Sequence, residues 1–183
     1  MSGFPGVEVN QLSVPVSNRD HIRGPFDAPS TLLEYGDYEC PVCAAAHPLV
    51  QAIDQVLGDQ MRFVFRNFPL ANIHIHAEHA AEAAEAAGAQ GSFWEMHDTL
   101  FENHPTLEDE DLARYATALG LDVDRFINEL FSGAYSSRLR EDFRSGIRSG
   151  VNGTPTFFIN DVRYDGPRDV ETMVAALTQG YAA

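Results

Sequence analysis

The chain has 183 residues and 20.2 kDa, is 44% hydrophobic and 10% aromatic, and carries 12 basic against 27 acidic residues for a net charge of −15. That length and apolar content describe one globular domain with a real core, not a disordered segment. The acidic balance, in which every basic residue is Arg, repels nucleic acid phosphates and anionic membrane surfaces, so neither is an expected partner. No stretch approaches the roughly 18 apolar residues that span a bilayer. Met1 to Ser17 lack the basic start and apolar middle of a signal peptide. The expected location is therefore the cytoplasm, or an extracytoplasmic compartment if a leader has been removed.

In chain order, residues 1–29 are polar and turn-rich, with Pro5, Pro15, Gly24, Pro25 and Pro29, and read as an N-terminal arm with one short strand near Val7 to Val16. Thr31 to Tyr35 is a buried-strand candidate. Pro41 to Leu57 carries Val42, Ala46, Leu49, Val50, Ile53, Val56 and Leu57 at helical spacing, with Gly58 as the stop and Pro48 placed to kink the helix. Met61 to Phe65 is a second strand, completing β-α-β, a parallel pair with a right-handed crossover. From residue 76 to 150 the pattern is helical: Ala77 to Ala89, Ser92 to Glu102, Leu107 to Leu119, Asp122 to Phe131 and Ser136 to Ser149. Thr156 to Ile159 and Val162 to Tyr164 are strands joined by a turn at Asn160-Asp161, and Asp169 to Thr178 closes as a helix.

The two cysteines, Cys40 and Cys43, are three residues apart, a spacing that points to redox chemistry or to part of a metal site. Pro41 suits the first helical turn, so Cys40 falls at a helix N-terminus, where unpaired N–H groups and the dipole stabilise a thiolate. Cys43 sits one turn deeper and can close a disulfide with it. In this mechanism Cys40 is the nucleophile and Cys43 resolves the mixed disulfide. The alternative is metal binding by the string Cys40, Cys43 and His47, which needs a fourth ligand from elsewhere. Glu34, six residues before Cys40, is either a buried acid able to take a proton from Cys43 or a strand-edge charge facing water. Pro155 opens a strand after Thr154, as a cis-proline whose backbone edge receives a substrate strand or as an ordinary trans residue. Asp37 and Glu39 are expected to push the Cys40 pKa up. His74, His76 and His79 form an H-x-H-x-x-H cluster at a helix start, read as partly buried imidazoles; Phe93, Trp94, Met96 and Phe101 read as core.

Leu33 to Cys43 (LEYGDYECPVC) and Gly153 to Phe158 (GTPTFF), with helices between, resemble the DsbA-type branch of the thioredoxin superfamily over about Arg19 to Thr178. The stretch Asn18 to Pro25 is similar to thioredoxin-like domains attached to bacterial sodium/proton antiporters. The resemblance implies an α/β thioredoxin fold with an inserted helical domain: arm 1–29, first part of the core 30–75, helical insertion 76–150, second part of the core 151–183. It implies catalytic Cys40 and Cys43, substrate-binding Thr154 and Pro155, modulating Glu34, Pro41 and Val42, no metal, and no cofactor beyond the Cys40–Cys43 disulfide. Expected partners are disulfide- or thiol-containing proteins, an unidentified redox partner, with glutathione among the candidates, and a transporter. Val42 stands where the strongly oxidising family members have His. Together with Thr154, Asp37 and Glu39 it implies a mildly reducing or isomerase-like pair. The rival functions are a redox-sensing module of a membrane transporter and a glutathione-using enzyme of the kappa-like branch.

Overall fold

In the computed structural model, which describes residues 10–180, five strands and seven helices follow one another as β1 (His21–Arg23), β2 (Ser30–Gly36), α1 (Pro41–Leu57), β3 (Met61–Asn67), α2 (Ala77–Gly88), α3 (Phe93–Glu102), α4 (Asp109–Ala118), α5 (Val123–Ser132), α6 (Ser136–Arg148), β4 (Thr156–Ile159), β5 (Val162–Tyr164) and α7 (Val170–Gln179). The strands form one sheet in the order β1-β3-β2-β4-β5. β2 and β3 are parallel, joined by α1, while β1 on β3, β4 on β2 and β5 on β4 are antiparallel.

The central strand β2 is buried along its whole length, and its side chains alternate between two apolar layers. Leu32 packs with Phe63, Phe65, Phe157 and Ile159 against α1 and the helical block, whereas Leu33 and Tyr35 pack with Val64, Phe68 and Phe158 on the other face. By the same parity Glu34, paired with Phe65 and Phe157 in the register, is carried on the α1 side. The stretch from α2 to α6 therefore lies between β3 and β4 in sequence and shares the first layer, through Met96, Leu100 and Phe101 of α3.

The turn chemistry explains the element ends. Gly58 stops α1 with φ of 49°, and the helix continues through Pro48. Asn160 and Asp161 both have positive φ, which closes the β4–β5 hairpin as a two-residue turn.

The arm departs from the sequence expectation. Part of Val7 to Val16 lies outside the described residues; within the rest, Gln11 makes one isolated bridge to Val162, and the strand of this region is β1. The physical reason is Arg66. Its buried guanidinium pairs with Asp20 at 2.7 Å and donates to the carbonyls of Val14 (2.9 Å) and Pro15 (3.2 Å) and to the Tyr35 hydroxyl (3.0 Å). These contacts draw the arm against the free edge of β3.

On that side α6 meets the sheet at Gly146, where an added Cβ would stand 2.7 Å from the Phe68 ring and 3.2 Å from Tyr35. Phe68 is fully buried and stacked on Phe143 at 4.3 Å, so it cannot move aside. Gly146→Val should therefore destabilise the fold by about 2 kcal/mol through overpacking; an unchanged urea midpoint would contradict this contact.

Candidate active site

The end of β2 and the start of α1 place the two cysteines. Asp37 terminates the strand, and its carbonyl accepts from the Cys40 N–H at 3.1 Å. Cys40 caps α1 in extended conformation, Pro41 follows at the first helical position, and Ala44 N–H donates to the Cys40 carbonyl at 3.1 Å. Both thiols are free and buried, Cys40 at 5% exposure and Cys43 at 0%. Val42 between them is 52% exposed, so the site opens to solvent beside it. From across the site comes the Thr154–Pro155 peptide, which is cis, with the Thr154 carbonyl 3.5 Å from the Cys40 sulfur.

The two sulfurs differ electrostatically. Cys40 is lowered from 9.0 to about 5: the Cys43 thiol donates to its sulfur, burial opposes this, and the Thr154 side chain and the N–H groups of Cys43 and Val42 lower it further. Cys43 is pushed the other way, first by burial and then because its proton is held by Cys40 and faces the charge of Glu34. Glu34 is 2% exposed and raised to about 8, by burial first, with exposed Arg168 opposing and the Cys40 charge reinforcing. Its Oε1 has no hydrogen-bond partner in the protein. The strand-edge alternative for Glu34 is thus excluded.

Despite the acids Asp37 and Glu39, Cys40 is lowered overall, and neither is among the main causes of its shift. Each carboxylate is committed elsewhere. Asp37 accepts from Glu39 N–H, Leu70 N–H and His74 Nδ1, each at 2.8 Å, and Glu39 accepts from His76 N–H at 2.6 Å. These bonds staple the segment from Leu70 to His76 against the loop before Cys40. His74, held by Asp37, is raised in pKa despite burial, partly by the Cys40 charge.

The three-histidine cluster does not converge: His74 goes to Asp37 and His79 to Asp109 at 2.6 Å. The Cys40, Cys43, His47 string does not converge as a ligand set either, since His47 groups with His97 and Asp98 of α3. Phe93, Met96 and Phe101 are core, with Trp94 packed at its edge. Sequence reasoning did not identify Arg168, whose guanidinium donates to the Pro155 carbonyl at 3.1 Å and lies over Phe157 at 5.6 Å. Only the β4–β5 hairpin brings it back there, and no local pattern marks it. His74, a partly buried imidazole in the sequence pattern, also lies within electrostatic reach of the Cys40 sulfur.

Because Cys40 and Glu34 shift in opposite directions, they give opposite pH dependences to the reduced fold. Glu34, raised from 4.5 to about 8, contributes stability that is full below 4.5 and lost as pH rises through 8. Cys40, lowered from 9.0 to about 5, contributes stability that is full above 9.0 and lost as pH falls through 5. Urea unfolding of reduced Glu34→Gln should therefore show stability rising with pH between 5 and 8, relative to reduced Cys40→Ser, in which it should fall. Parallel profiles for the two variants would refute the assignment.

A family model described as Thioredoxin matches residues 17–179. Among curated proteins, the Na(+)/H(+) antiporter NhaA 3 of Salinispora tropica is 46% identical over 175 residues, 94% of this chain but 26% of the antiporter, so the chain spans about a quarter of the length of such relatives. Among solved structures, the thioredoxin-like oxidoreductase from Silicibacter pomeroyi is similar with a TM-score of 0.79 at 23% identity, covering 91% of this chain and 95% of that one. Oxidised BdbD from Bacillus subtilis is similar with a TM-score of 0.77 at 24% identity, covering 86% and 90%. At these identities the structural likeness carries the fold alone. With the family match spanning nearly every described residue, the sheet interrupted by helices α2 to α6 is a thioredoxin fold with a helical insertion, and the chain belongs to the thioredoxin family.

Proposed function

We propose that this chain is a thiol–disulfide oxidoreductase working through Cys40 and Cys43. The observation that carries the reading is the split between the two sulfurs, one depressed to about 5 at a helix N-terminus and one raised in the apolar core a turn below. In the reductive direction, the Cys40 thiolate attacks a substrate disulfide, forming a mixed disulfide and releasing one substrate thiolate. That step discharges Cys40, removing a charge that helps hold Glu34 protonated. Glu34 then ionises, its proton passing through solvent to the released substrate thiolate, and takes the Cys43 proton. The Cys43 thiolate attacks the Cys40 sulfur, the second substrate thiolate leaves, and two electrons have passed from the cysteine pair to the substrate. The reverse sequence oxidises a dithiol. Thr154 and Pro155 offer their backbone edge to an extended substrate segment, Arg168 steadies that edge through the Pro155 carbonyl, and Pro41 and Val42 form the exposed lip. The pair needs no cofactor beyond its own disulfide.

Redox strength follows from thiolate stabilisation. Thioredoxin, with a nucleophile pKa of about 7, has a potential of about −270 mV, and each pKa unit is worth about 30 mV for a two-electron couple. A nucleophile near 5 then places this pair at about −210 mV, in the glutaredoxin range and a little below the isomerases. Electrons are exchanged with thiol or disulfide proteins, with glutathione as a candidate small-molecule partner.

The similarity to antiporters favours a second reading, in which this domain senses redox state on behalf of a transporter. Catalytic turnover separates the two. Cys40→Ser should abolish reduction of a model disulfide substrate, whereas Cys43→Ser should accumulate a mixed disulfide visible by mass. Glu34→Gln should slow resolution about 100-fold while leaving the first attack within a few-fold. Equilibration in graded glutathione buffers should place the couple at about −210 mV. A couple that cycles but shows no substrate turnover supports the sensor; glutathione binding without disulfide exchange supports the kappa-like enzyme.

A further inference from the structure

Behind α1, on the side away from the sheet's second core layer, two buried histidines meet a carboxylate. His47 lies one turn beyond Cys43 on α1; His97 and Asp98 are adjacent on α3. His47 is 5% exposed and His97 1%, and the ligand atoms of the three side chains all lie within 4.8 Å of one another. His47 Nε2 is buried with no hydrogen-bond partner, an uncommon condition for an interior ring nitrogen. Asp98 Oδ1 stands 3.5 Å from it, too long for a good hydrogen bond. That separation is instead close to the edge of a metal tetrahedron: ligand bonds of 2.0–2.1 Å put neighbouring ligand atoms about 3.4 Å apart.

We propose that His47, His97 and Asp98 form a binding site for a late first-row divalent metal ion, of which zinc is the representative, with a fourth position left to water. Two imidazoles and one carboxylate are a donor set suited to such ions. The surroundings match what metal-ligating side chains require. The Tyr38 hydroxyl is 3.0 Å from His97 Nδ1 and fixes that ring, leaving Nε2 for the ion.

Arg23 is the competing cation. One of its nitrogens donates to both oxygens of Asp98 at 2.8 Å, and the guanidinium lies over Trp94 at 4.6 Å. A carboxylate has about four lone-pair positions, so Oδ1 can take the ion while Oδ2 keeps Arg23 as its outer partner. An ion there ties α1, the helix carrying the cysteine pair, to α3.

The test is zinc titration of the oxidised protein, in which the Cys40–Cys43 disulfide removes the thiols as competing ligands, read by competition with a chromogenic chelator. One equivalent should bind, the melting temperature should rise with zinc, and cobalt(II) in its place should give the visible bands of a tetrahedral site. Asp98→Asn and His47→Gln should each weaken binding about tenfold or more. His79→Asn, which breaks the surface pair with Asp109, should leave it unchanged. Asp98 is part-exposed, so its variant folds even if the His47 variant does not. Failure to bind one equivalent, indifference to Asp98→Asn, or loss of binding in His79→Asn would each overturn the proposal.

Discussion

Burial of Glu34 and Cys43 against the same apolar layer is the constraint around which the site is organised. A carboxylate in the middle of a central strand, paired on both sides by phenylalanines, is pushed toward its neutral form, with its pKa raised to about 8. Cys43, one turn into α1, meets the same dry surroundings and keeps its proton. Cys40 is spared chiefly because the Cys43 thiol donates to it, and further because the helix begins at it: the N–H groups of Cys43 and Val42 have no intrahelical acceptors and turn to the sulfur. A single geometric fact, the start of α1 at the carboxyl end of β2, therefore separates the two thiols by chemistry while holding them within one turn.

That geometry needs the loop between strand and helix to be rigid, and the chain spends its acids there. Asp37 takes three donors and Glu39 one, all from within the loop or from the segment Leu70 to His76. Carboxylates saturated in this way act as cross-links, and their field at the sulfur is largely answered by the donors they hold. The same economy recurs away from the site, where Asp20 with Arg66 and Glu85 with His21 and Arg138 anchor the arm and α6. An acidic composition thus says little about local charge until the partners of each acid are known.

This explains which parts were legible beforehand. α1, β4 and β5 begin and end where the sequence places them, because Pro41, Gly58 and Asn160-Asp161 impose local backbone conformations that no tertiary contact has to supply. Cys40, Cys43, Glu34 and Pro155 were legible for a related reason: each residue type is rare in its local setting. β1 was not. His21-Ile22-Arg23 has no distinguishing alternation and is a strand because Arg66, 46 positions from Asp20, draws the arm onto β3. The stapling by Asp37 and Glu39 was hidden for the same cause, since all but one of their donors lie 33 to 37 residues away. Arg168 and the His47–His97–Asp98 group likewise exist only once α1, α3 and the terminal hairpin are in place.

The absence of histidine at position 42 gains its meaning from this arrangement. An imidazole inside the Cys-x-x-Cys turn would add one more stabiliser to the thiolate; here Val42 leaves that position apolar and half-exposed, and the depression of Cys40 rests on backbone N–H groups, the Cys43 proton and Thr154. Backbone donors are fixed by the helix and act on whatever sits at its N-terminus, so they persist through sequence change at 42. The Cys43 proton, by contrast, is lost to the sulfur as soon as Glu34 removes it. The largest source of thiolate stabilisation is therefore also the one that the proposed exchange would consume: it is present while both cysteines are thiols and gone when the disulfide closes. In the exchange proposed above that bond must break before the disulfide can close, so the contact that most stabilises the thiolate is also the one that resolution works against.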